Sequence, residues 1–98
     1  MAVKLLKMYS GELIITEEME AQSTDQFLAV RRPLRLTVTD QGIALQMLIP
    51  CDMDEQTKCY RRHIAIEAVA VPPLAAEYTS KFGAGLVTPP APKLVVPG

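Results

Sequence analysis

The sequence predicts a small, mostly β domain, and three observations carry that reading. Apolar and polar residues alternate over several short runs, and Gly or Pro ends most of those runs. The apolar mass is Val, Ile, Leu, Ala and Met, with only 5% aromatic residues and no Trp, a composition that favours strands over stacking platforms for bases.

Residues 3–8, VKLLKM, form an apolar run that stops at Ser10-Gly11, where glycine accepts the positive φ of a tight reversal. From Leu13 through Ile15 to Met19 the alternation predicts a second strand, half buried at first and reaching solvent at Glu17, Glu18 and Glu20. The two runs read as a hairpin. AQSTDQ at 21–26 is a polar break. The next run, FLAVRRPLRLTVT, puts Leu28, Val30, Leu34, Leu36 and Val38 on one parity and Arg31, Arg35, Thr37 and Thr39 on the other, a strand period. Pro33 has no N–H for a ladder bond, so a bulge or an edge is expected there.

Asp40-Gln41-Gly42 supplies a turn, after which Ile43, Leu45, Met47 and Ile49 share one face of a fourth strand ending at Pro50. DMDEQ at 52–56 is polar and reads as a loop or a distorted hairpin tip. TKCYRRHIAIEAVAV then runs to Pro72-Pro73. Its second half, residues 64–71, is apolar on both parities apart from Glu67, and a strand of that kind needs cover on both faces. Leu74, Tyr78 and Phe82 recur at helical spacing, with Pro73 suited to a first helical position and Gly83 to a stop, which predicts a helix over 73–82. The helix is expected to lie on the sheet or on a neighbouring subunit. Residues 84–98 hold four of the eight prolines and are expected to be an extended tail. The chain is therefore read as one domain, 1–83, followed by that tail.

Composition narrows the function. Ten basic against 11 acidic residues give a net charge of -1, without the basic excess of a DNA-wrapping protein. Half the residues, 49%, are apolar, and mean hydropathy is +0.15, so the chain is not a disordered tail. A chain of 98 residues buries only roughly 65% of its unfolded surface, so it carries more apolar side chain than a lone core of this size needs. No run approaches the ~18 apolar residues of a membrane span, which implies a cytoplasmic protein without a membrane partner.

Chemistry-bearing clusters are sparse. Cys51 and Cys59, with the single His63, make neither a disulfide framework nor a zinc site of usual spacing and read as small core residues. Cys59 and His63 could pair as nucleophile and base, but nothing orients one toward the other. Glu17, Glu18 and Glu20 read as a solvated strand edge rather than an acid–base cluster. No catalytic residue, metal or cofactor is expected. Arg61 and Arg62 are adjacent in a short turn, with His63 able to stack on a base or bond to phosphate; the turn suits phosphate contact or a plain solvated reversal. Arg31, Arg32 and Arg35 read as a solvated face or as partners for Glu17, Glu18 and Glu20.

KLLKMYSGELIITE resembles the opening of a family of small phage proteins, abundant in marine viruses of cyanophage type, that begin with a KLLTGE-I pattern. EYTSKFGAGLVTPP is similar to the same family's ending, a tyrosine followed by FGSGI and a proline. The resemblance spans roughly residues 4 to 90. That family in turn resembles the Sm/LSm proteins, which implies a strongly bent five-stranded barrel assembling into a homo-oligomeric ring that binds RNA. It further implies that the fourth strand of one subunit pairs with the fifth of the next. Arg61 and Arg62 would match the basic position of the Sm Arg-Gly turn, and Asp25 and Phe27 the Sm motif before the third strand. The Asn of that motif is absent, and no Gly follows the arginines. The expectation is a non-enzymatic ring binding single-stranded RNA or DNA in the cytoplasm of an infected cell. The alternative is a structural or adaptor protein that docks a phage or host protein through its ring surface or Pro-rich tail.

Overall fold

A computed structural model describes residues 2–49 and 52–81. The expectations for Cys51, Phe82, Gly83 and the tail at 84–98 lie outside the described residues. Among these residues six strands and one helix follow in order: β1 (Ala2–Met8), β2 (Leu13–Glu18), β3 (Phe27–Thr39), β4 (Gly42–Met47), β5 (Thr57–Tyr60), β6 (Ile64–Val69) and α1 (Pro72–Ser80). Short 3-10 turns occupy Glu20–Gln22 and Arg61–His63. Every pairing is antiparallel in one sheet of order β4-β3-β2-β1-β6, with β5 also on β3. The sequence places a short turn at Arg61 and Arg62; the 3-10 turn Arg61–His63 lies there and takes the chain from β5, paired to β3, into β6, paired to β1.

Local chemistry explains the connections. Gly11 has φ 101° and Gly42 φ 123°, values a side chain resists, and they close the β1–β2 and β3–β4 hairpins. At the first reversal the Met8 N–H donates to the Glu12 carbonyl at 2.9 Å, and the Gly11 N–H to the Met8 carbonyl at 2.9 Å.

The expected irregularity at Pro33 is a bulge. Ile15 pairs with Leu34 while Glu17 pairs with Arg31, so β3 spends one residue more than β2 over that stretch. Arg32 takes φ 54° there, and its N–H donates to the Met53 carbonyl at 3.1 Å. One extra residue exchanges the two faces of a strand. Leu28 and Val30 therefore pack with Leu6 and Ile14 in one cluster, whereas Leu34, of the same parity, packs with Ile15 in another on the opposite face. Unbroken alternation through Val38 does not hold: Val38 is 71% exposed.

The second cluster is covered by α1. Pro72 and Pro73 occupy its first turn, where their missing N–H groups are not needed, so the helix begins one residue earlier than predicted. Leu74, Ala75 and Tyr78 pack against Ile15, Leu34 and Ala70 of the same chain. The Tyr78 hydroxyl donates to the Arg32 carbonyl at 2.6 Å and pins the helix to the bulge.

Two expectations are corrected. Strand β2 lies between β1 and β3, not at an edge, and Glu18 is buried at 6% exposure instead of solvated. Lys4 meets it at 3.3 Å, and Glu17 binds Arg31 at 2.9 Å. Among the described residues, nothing covers strand β6 on either face beyond half-buried Ile64: Ile66 and Val69 are 63% and 67% exposed.

Candidate nucleic-acid interface

The polar break before β3 and the turn after β5 meet. Thr24 folds the break back on itself: its Oγ1 accepts the N–H groups of Gln26 and Phe27 at 3.1 and 3.2 Å, an arrangement that ends in extended backbone. The Arg61 N–H donates to the Gln26 carbonyl at 3.0 Å, and its Nε to the Thr24 carbonyl at 2.8 Å. Register then sets Phe27 opposite Tyr60. Their rings meet edge to face, centroids 6.0 Å apart at 68°. The Lys58 ammonium stands 5.0 Å from the Phe27 centroid and the Arg62 guanidinium 5.5 Å from that of Tyr60. The Arg62 Nε also donates to His63 Nε2 at 3.4 Å.

Of the five residues singled out in the sequence, Phe27, Arg61, Arg62 and His63 thus share one neighbourhood, with Asp25 exposed in the adjoining loop. Their roles divide. Arg61 is committed to the fold: besides Thr24 it pairs with Glu67 at 3.4 Å, and Glu67 in turn binds Lys4 at 2.8 Å. The hydrogen bond that Lys4 donates to Glu67 raises the Lys4 pKa above its usual value against the opposing effect of burial, with Glu18 adding to the rise. Arg62 and Lys58 are exposed and carry no carboxylate partner among the described residues.

Sequence reasoning missed Lys58 and Tyr60. The signal is legible in hindsight, since Lys58 and Tyr60 share a parity in a strand that runs straight into Arg61 and Arg62. The other basic group, Arg31, Arg32 and Arg35, is paired with Glu17, Asp54 and Glu12 at 2.9, 2.8 and 3.3 Å, so its arginines serve the fold. Cys59 is half-buried and makes no hydrogen bond to His63. Burial, and then the charge of Glu67, raises its thiol pKa, the opposite of nucleophile activation.

Among the described residues, no cluster of His, Cys, Asp or Glu is placed to hold a metal ion, and no helix is long and apolar enough to cross a membrane. Neither models of known protein families nor curated protein sequences yield a match to this chain.

Proposed function

We propose that the chain is a non-enzymatic, Sm-like, ring-forming protein that binds single-stranded RNA or DNA in the cytoplasm of a phage-infected cell. The observation carrying this reading is the joined aromatic and basic surface of Phe27, Tyr60, Lys58 and Arg62. Bases stack on aromatic faces with about 1–3 kcal/mol each and little sequence preference, while exposed cations take the phosphates. Arg61 acts as the bracket that holds the two loops together, and His63 lies beside Arg62 for a further base or phosphate contact. Asp25 contributes from the rim of the same loop.

Assembly explains how a chain of net charge -1 gathers positive charge: symmetry repeats the turn once per subunit around a pore. The sheet connectivity supports a small bent barrel, because the three-residue turn at Arg61–His63 ties β5, paired to β3, to β6, paired to β1. Strands β4 and β6 end the sheet path, and the exposed apolar residues Ile66 and Val69 support pairing of β6 with a neighbour. The same bare strand supports a second reading, an adaptor that docks a protein partner.

Native mass spectrometry of the full chain tests assembly. One closed oligomer at micromolar concentration, dissociating on Ile66→Asp, is expected; monomer alone contradicts the ring. Co-purifying nucleic acid, read as raised absorbance at 260 nm and lost on digestion, favours the nucleic-acid reading over the adaptor.

A further inference from the structure

A cavity of about 380 Å3 opens beside His63 of the basic turn, lined by residues of β1, β2, β3 and β5, within the usual range of small-molecule sites. Its floor is the buried cluster of Leu6, Ile14 and Val30, and its wall includes half-buried Met8 and Leu48. The floor asks for no hydrogen bond. Thr16, its polar member, already donates to the Arg31 carbonyl at 2.8 Å, and no buried side-chain N or O among the described residues lacks a partner. A nucleobase would bury polar edges there without partners, whereas an alkyl chain loses nothing on entry.

The exposed rim has the opposite character. Lys58 and His63 stand on it, and its carboxylate, Glu12, is engaged by Arg35 and by the Ser10 hydroxyl, each at 3.3 Å. The Cys59 thiol on the wall is raised by burial and adds no anion at neutral pH. The hold on Lys58 is an exposed cation–π contact 5.0 Å from Phe27, which an ion pair can replace.

We propose that this cavity binds an amphipathic anion, a free medium-chain fatty acid or a molecule of that chemistry, with the chain on Leu6, Ile14 and Val30 and the carboxylate at Lys58 and His63. The proposal stands independently of nucleic-acid binding, although both use Lys58. The test is a titration of the isotope-labelled full chain with decanoate, and with decylamine as the same chain bearing the opposite charge, followed by NMR of the methyl groups. Saturable shifts of Leu6, Met8, Ile14 and Val30 are expected, with decanoate at least about fivefold the tighter ligand. Lys58→Glu, at an exposed position, should reverse that preference, and Leu48→Phe should weaken both ligands by filling the wall.

No saturable shift up to the solubility limit, or equal affinity for the two head groups, overturns the proposal. So do shifts confined to Ile66 and Val69, which would place the chain on the bare strand. A single-stranded oligonucleotide that moves the same core methyls would make the occupant a base, and protein that sediments with anionic vesicles would make it a membrane-borne acyl chain; either result overturns a free fatty acid.

Discussion

Tyr78→Phe removes one oxygen from the place where the helix, the bulge and one of the two core clusters meet. The residue is 1% exposed, and its hydroxyl donates to the Arg32 carbonyl at 2.6 Å with a second, longer contact to the Arg31 carbonyl at 3.5 Å. The substitution keeps the ring against Ile15, Leu34 and Ala70, so the apolar contribution persists and the change isolates the hydrogen bond. Losing a short buried donor to a backbone carbonyl costs about 1–2 kcal/mol. In a domain of this size that lowers the melting temperature by roughly 5–10 °C. Tyr78→Ala also removes the ring, costs about 3–5 kcal/mol and approaches the whole stability of a small domain. Circular dichroism melts and urea titrations of the three proteins read these differences. A Tyr78→Phe variant melting within about 1 °C of the parent, with an unchanged urea slope, would refute the role given to this bond.

Three further outcomes follow from the same geometry. Stability should fall as pH rises above about 9, because Cys59, Tyr78 and Lys4 all have folded-state pKa values raised from 9.0, 10.0 and 10.5. The folded chain then holds protons that the unfolded chain releases, so the slope is negative there; urea midpoints across pH 8–11 check it, and Tyr78→Phe should remove the part that begins near pH 10. Arg32→Val should be less stable than Arg32→Gly by about 1–3 kcal/mol, since φ 54° is open to glycine and closed to a β-branched residue, and both variants lose Asp54 alike. Glu67→Gln, which leaves Lys4 with Glu18 and Arg61 with Thr24, should cost about 1 kcal/mol by urea titration and lower the Lys4 pKa measured by NMR.

The alternation read from Leu13 through Ile15 to Met19 and from Leu28 to Leu36 made the central strands legible, because a period of two needs only local side-chain order, although in β2 Ile14, Ile15 and Thr16 are all buried. The exchange of faces at Arg32 was not, since one inserted residue shifts parity without altering composition, and Pro33 announces only that something irregular occurs. Burial of Glu18 escaped for a similar reason: a carboxylate reads as solvent-facing until the fold supplies Lys4 from a neighbouring strand. The basic turn was visible as Arg61-Arg62-His63, yet which arginine is spent on structure depended on Thr24 and Glu67, residues 37 and 6 positions away. Tyr60 was read only as part of a strand, because its partner Phe27 comes from a different strand and their pairing exists only in the folded register.

The most direct test of the central claim is fluorescence anisotropy of a labelled single-stranded oligonucleotide titrated with the full chain at several salt concentrations. Saturable binding that weakens with salt is predicted. Tyr60→Ala should lower the affinity by about 1–3 kcal/mol for each stacked base, and Arg62→Ala should flatten the salt dependence by about one unit per contacting subunit. Binding that survives both substitutions unchanged, or no binding at low salt, would contradict the assignment of this surface to nucleic acid.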